Sequence, residues 1–102
     1  MIIYNVTVSV EENITRDWLN WMTTEHIPEM MSCGIFTKGQ INRVIAKEDS
    51  NNTFAISYNC ASMKDLHDYQ IKFSAELQEK HIARYGDKIV AFRTIMEVIE
   101  EF

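Results

Sequence analysis

Residues 2–10 alternate in character: Tyr4, Val6, Val8 and Val10 fall on one face, Ile3, Asn5, Thr7 and Ser9 on the other. That period of two is the mark of a strand buried on one side. Trp18, Leu19, Met22, Ile27 and Met30 then recur at three and four, which predicts a helix over 15–32 with Thr15 as its cap and Gly34 as its stop. Residues 35–47 are strand-like with a bulge expected at Gly39, and 48–52 form a polar turn. A third alternating run covers 53–61 with Phe54, Ile56, Tyr58 and Cys60 inward. Ser62 and Asp65 then resemble a capping box opening a helix over 62–85, whose stripe is Met63, Leu66, Tyr69, Phe73 and Leu77 and whose end is Tyr85-Gly86. Residues 88–99 alternate Val90, Phe92, Thr94, Met96 and Val98 against Ala91, Arg93, Ile95, Glu97 and Ile99, a fourth strand.

The order is β-α-β-β-α-β. Two right-handed crossovers place both helices on one face of a four-stranded antiparallel sheet, an α+β, ferredoxin-like fold in which 1–102 is a single domain. The other sheet face stays open. It is expected to carry Ile3, Ala55, Ile95 and Ile99 among Asn5, Thr7, Ser57, Asn59, Arg93 and Glu97, too apolar a surface to face water comfortably. A homodimer that pairs two such faces through Ile3, Asn5, Thr7, Asn59, Arg93 and Ile95 is the expected remedy.

Composition narrows the partners. With 46% hydrophobic and 25% charged residues in 102, the chain is globular, and a formal net charge of −5 gives the wrong field for nucleic acid or an anionic membrane. The strand-like start has no basic segment before it and no apolar run approaches 18 residues, so a soluble, cytoplasmic protein is expected. Cys33 and Cys60 have no Cys-x-x-Cys neighbourhood, so neither a disulfide framework nor a zinc ribbon is expected.

Chemistry, if any, centres on histidine. His26 lies mid-stripe on the first helix and so faces the sheet, over Tyr4 or Val6 by helix rise; His81, at the edge of its stripe, comes back over Phe54. With strands one and three taken as parallel neighbours, His26, His81, Tyr4 and Phe54 gather at one end of the sheet, beside Trp18. Burial would keep His26 neutral and able to accept a proton, with Tyr4 as donor and Glu29 or Arg84 as charge at the rim. The opposing view makes both histidines packed core or rim. Pro28 is expected to kink or end the helix just past His26. Trp18 and Trp21 read as core plus rim. His26 with Glu29 is at best half a metal site, so no metal is expected, and no cofactor.

Three stretches are familiar: Met1-Ile2-Ile3-Tyr4-Asn5-Val6-Thr7, Trp18-x-x-Trp21-Met22-x-x-x-His26-Ile27-Pro28-Glu29, and 84–94, of which Ile89-Val90-Ala91-Phe92-Arg93-Thr94 is the most specific part. Together they resemble the bacterial family called domain of unknown function 4286, over essentially the whole chain. The resemblance implies a dimeric, ferredoxin-like α+β barrel and assigns no activity. His26-Ile27-Pro28-Glu29 followed by Gly34 is also similar to the helix ending of dimeric α+β barrel enzymes, cofactor-free monooxygenases among them. Haem-degrading members of that superfamily share an Asn on strand one, as Asn5 here, but carry a Trp on the second helix, and this chain has none after Trp21. Two functions stay open. One is a pocket between helices and sheet, lined by His26, Tyr4, Trp18, His81 and Phe54, that binds a small apolar or aromatic molecule or performs cofactor-free proton transfer with His26, His81 and Tyr4. The other is a non-catalytic homodimeric interaction domain.

Overall fold

The computed structural model describes residues 1–46 and 52–102. The turn expected at 48–52 falls, apart from Asn52, outside the described residues. The chain runs through β1 (Ile2–Val10), a 3-10 turn (Glu12–Ile14), α1 (Thr15–Trp21), a π-helical turn (Met22–His26), α2 (Ile27–Ser32), β2 (Lys38–Arg43), β3 (Thr53–Cys60), α3 (Met63–Lys72), α4 (Ser74–Tyr85), a 3-10 turn (Gly86–Lys88) and β4 (Ile89–Glu97). The sheet order is β2-β3-β1-β4. Every neighbouring pair is antiparallel, which is the ferredoxin-like arrangement. No helix among the described residues is long and apolar enough to cross a membrane.

The inward faces of β1 and β3 meet the helices as their alternation requires. Ile2, Tyr4, Val8 and Val10 of β1 and Phe54, Ile56, Tyr58 and Cys60 of β3 are buried against Trp18, Met22, Met30, Leu66, Tyr69 and Leu77. At about 2 kcal/mol for each large side chain removed from water, this layer is the main stabilising feature of the fold. Met63, expected in the stripe, is the first residue of α3 and is exposed. Ser62 accepts a hydrogen bond from Asp65 N–H at 3.2 Å, as its position before the helix suggests. Thr15 does not cap: its hydroxyl donates to the Glu11 carbonyl at 2.9 Å, because a 3-10 turn precedes α1. Gly34, at φ +81°, follows the C-cap Cys33 in the left-handed region, where glycine is strain-free. Gly39 makes no bulge, since Lys38, Gly39 and Gln40 pair in unbroken register with Asn59, Tyr58 and Ser57. It serves close approach instead: a Cβ there would lie 3.0 Å from Met31 Sδ.

Two expectations about the strands are corrected. β1 and β3 run antiparallel, so Tyr4 pairs with Tyr58, and Phe54 pairs with Val8, about 13 Å further along β1. Tyr4 and Phe54 therefore do not share one end of the sheet. On β4 the pairs Val8↔Ala91, Val6↔Arg93 and Tyr4↔Ile95 put Arg93, Ile95 and Glu97 on the helix side, while Val90, Phe92, Thr94 and Met96 stand on the open face with Ser9, Thr7, Asn5 and Ile3. Arg93 and Ile95 thus do not stand on the face expected to pair. β4 is an edge strand with apolar residues on both sides, so alternation alone could not set its phase.

Candidate functional site

The helix of residues 15–32 does not end at Pro28. It widens by one turn ahead of it. Ile27 N–H donates to the Met22 carbonyl, a five-residue step. The hydroxyl of Thr24 donates to the Asn20 carbonyl at 2.7 Å and that of Thr23 to Leu19 at 2.9 Å, supplementing backbone bonding where the ladder changes register. Trp18, Met22, His26 and Met30 are spaced four apart, and in an unbroken α-helix each step of four drifts about 40° off axis. The wide turn takes up that drift, and all four side chains are buried on one face.

His26 and His81 are brought together, their ring centroids 5.2 Å apart. Trp21 stacks on His26 at 4.8 Å and Tyr85 meets Trp21 edge-on at 5.5 Å. Trp18 Nε1–H donates to His81 Nε2 at 2.9 Å. A neutral imidazole that accepts at Nε2 carries its hydrogen on Nδ1, so Trp18 fixes the His81 tautomer. Burial holds both histidines well below their ordinary range, at about 4 each. For His26 the Glu29 carboxylate partly offsets burial and Lys80 adds to it; for His81, His26 and Arg93 add to it. Both rings are therefore neutral at pH 7. His81, expected at a solvent edge, is buried, because the helix breaks at Phe73 (φ −128°, ψ −30°) and α4 turns His81 inward beside Leu77 and Tyr85.

Around this pair lies a ring of charge. Lys80 Nζ is 2.7 Å from Glu29 Oε1 and 3.7 Å from Glu76. Tyr85 OH donates to Asp17 at 2.8 Å and accepts from Arg84 Nε–H at 3.2 Å, while the Arg84 guanidinium lies over Trp21 at 5.6 Å. Among the described residues no side chain hydrogen-bonds His26, and no buried side-chain nitrogen is left without a partner, so its ring nitrogens reach the surface. A groove of about 510 Å³ lies between the two helical segments, lined by Trp21, Glu25, His26, Glu29, Lys80, Ala83 and Arg84.

The other candidates are divided. Trp18 and Phe54 pack at 5.0 Å and are almost wholly buried beneath the groove. Tyr4 joins a separate cluster with Phe36, Tyr58 and Tyr69, and its hydroxyl accepts from Arg93 Nε–H at 3.0 Å. Between helices and sheet, where Tyr4, His26 and His81 all border one space, only about 20 Å³ is free. The expected pocket there is filled; the room is on the outer side of His26. Cys60 lies far from the histidines, beside Ile2, and burial pushes its thiol up. Trp21, Lys80 and Tyr85 were not singled out as site residues from sequence. Tyr85 stands four residues after His81, a spacing that places the two on the same side of α4, whereas Lys80, one residue before His81, is turned about 100° away and carries no such signal.

The profile of the family described as "Domain of unknown function (DUF4286)" matches residues 1–99. The chain belongs to that family. No curated protein matches this DUF4286 chain in sequence. Among solved structures it is similar to one described as a dimeric ferredoxin-like protein from an uncultured marine organism, at 9% identity and a TM-score of 0.77, over 99% of this chain and 96% of that one. It is also similar to an antibiotic biosynthesis monooxygenase (9% identity, TM-score 0.70, 98% and 100% covered) and to an ethyl tert-butyl ether d (ethd) family protein from Bacillus halodurans (11% identity, TM-score 0.69, 97% and 100% covered). At these identities the likeness is one of fold.

Proposed function

We propose that this DUF4286 protein is a homodimeric domain that binds a small aromatic molecule in the groove at His26. The observation that carries the reading is a buried, neutral imidazole, stacked on Trp21, in the wall of a groove of about 510 Å³, a volume within the range of small-molecule sites. A neutral His26 offers one donor and one acceptor to a heteroaromatic or phenolic edge. Ala83 and the aliphatic stems of Lys80 and Arg84 supply the apolar wall, and Glu25 and Glu29 balance the two cations, so the groove suits a molecule without net charge.

The dimer is supported by the open sheet face, where Val90, Phe92 and Met96 are 70%, 60% and 42% exposed. Ile3, Asn5, Thr7 and Asn59 lie on that same face, and two structural neighbours are described as dimeric. A second copy packed there buries those side chains and leaves the groove, on the helix side, open.

The alternative, a non-catalytic interaction domain, is favoured by the filled space between helices and sheet. The two separate in a titration of ¹⁵N-labelled protein with indole, phenol and 1-naphthol. Saturable shifts at His26, Ala83 and Trp21 that vanish in His26→Gln, with an unchanged melting temperature in that variant, support the groove. Absence of any saturable shift at millimolar probe overturns it in favour of the interaction domain.

A further inference from the structure

On the far side of His81 from the groove, the structure contains a second hollow of about 180 Å³, lined by Gln78, His81, Ile82, Gly86, Ile89, Ala91 and Arg93. It lies between α4 and β4, on the helix side of the sheet. Two features of its wall point to one ligand chemistry. Arg93 has no acidic partner within ion-pair distance among the described residues, and its Nε–H is tied to the Tyr4 hydroxyl at 3.0 Å, which fixes the guanidinium plane while leaving its terminal amino groups uncommitted. His81, locked by Trp18 as the Nδ1–H tautomer, presents a donor with no acceptor among the described residues. Burying that donor without giving it a partner would be costly, and no buried side-chain atom of this kind is left unpaired, so Nδ1 is reached from outside.

We propose that this hollow is a carboxylate-binding site: the Arg93 fork holds both oxygens of a small monocarboxylate, the His81 Nδ1–H and the Gln78 amide add donors, and the apolar body rests on Ile82, Ile89 and Ala91. The planar guanidinium matches a carboxylate in two parallel hydrogen bonds, which an ammonium cannot reproduce. A hollow of this size has room for about six waters by bulk volume, which suits a benzoate or a short aliphatic acid and excludes a nucleotide. Because Trp18 occupies His81 Nε2, the ring serves here as a fixed donor and not as a base. The site is separate from the groove at His26, so one can be absent while the other is present.

The test is calorimetric and NMR titration of the full chain with benzoate, with benzamide as the neutral isostere and chloride as the competing simple anion. Benzoate is expected to bind at least tenfold more tightly than benzamide and to shift the Arg93 and His81 side-chain resonances. Followed at the His81 resonances, Arg93→Gln should weaken it by tenfold or more and Arg93→Lys nearly as much, whereas Lys64→Ala, exposed on α3, should leave it unchanged. Equal binding of benzoate and benzamide as read at the Arg93 and His81 resonances, displacement by equimolar chloride, or undiminished binding at His81 in Arg93→Gln would each overturn the proposal. Should Arg93→Gln fail to fold, Arg93→Lys and Gln78→Leu carry the same comparison.

Discussion

Acid is the perturbation that reads the histidine pair most directly. Each ring falls from an ordinary value of 6.5 to about 4 on folding, chiefly through burial. The unfolded chain therefore binds more protons than the folded one between those two values. Stability is complete above pH 6.5, declines as pH falls through that window, and flattens below pH 4. For one histidine the loss between pH 7.5 and pH 4.5 is about 2.5 kcal/mol, and for two about 5 kcal/mol. That is comparable with the whole stability of a domain this size. Urea denaturation at the two pH values, followed by tryptophan fluorescence, measures the difference. In His26→Gln the gap between the two curves should shrink by at least about 2.5 kcal/mol, because His81 also loses the charge that His26 sets against it, whatever the variant costs at neutral pH. An unchanged gap in both His26→Gln and His81→Gln, or histidine Cε1–H resonances for this pair that titrate near 6.5, would refute the reasoning.

Other outcomes follow from single side chains. Light scattering should give about twice the 12.0 kDa chain mass. Phe92→Asp should abolish that dimer, and Ile95→Asp, on the helix side, should leave it intact; the reverse would show that the open face is not the interface. Trp18→Phe should destabilise by about 2–4 kcal/mol in urea unfolding, through lost volume and an unpaired His81 Nε2. Gly34→Ala, at φ +81° with open space around it, should cost about 1 kcal/mol in the same assay, a purely backbone effect. Gel-shift titrations with DNA and RNA should show no submicromolar, salt-dependent binding, as expected for a chain of net charge −5.

Much of the architecture was legible because each segment had a face to bury. β1 and β3 present apolar residues at strict intervals of two, and burial of Tyr4, Val8, Phe54, Ile56 and Tyr58 follows from that spacing alone. The phase of β4 was not legible. Both its faces are apolar, Ile89 and Ala91 inward and Val90, Phe92 and Met96 outward, so the pattern is degenerate. Only the pairing with β1, running from Val10↔Ile89 to Ile2↔Glu97, decides which row faces the helices. The degeneracy has a functional meaning under the dimer proposal: a strand apolar on both sides is one that has two surfaces to cover.

The candidate site was half legible for a different reason. Histidine convergence could be reached from helix rise, but the neighbours of His26 depend on how the helix turns between Trp21 and Pro28. An unbroken α-helix would rotate His26 and Met30 progressively away from Trp18, and Pro28 read alone suggests an end to the helix. The π-helical turn resolves both demands at once. It passes the step where Pro28 has no N–H to give, and it keeps Trp18, Met22, His26 and Met30 on the sheet-facing side while Trp21 comes to lie flat on His26. Such turns are rare in general and recur at functional sites, because one inserted residue re-aims the side chains around it without dissolving the helix. The spacing of four repeated three times, with proline two residues past the histidine, is the sequence signal that goes with it here. The consequence is an imidazole pressed into the core on one side and opened to a groove on the other. That is why the space between helices and sheet can be filled while His26 still borders open room.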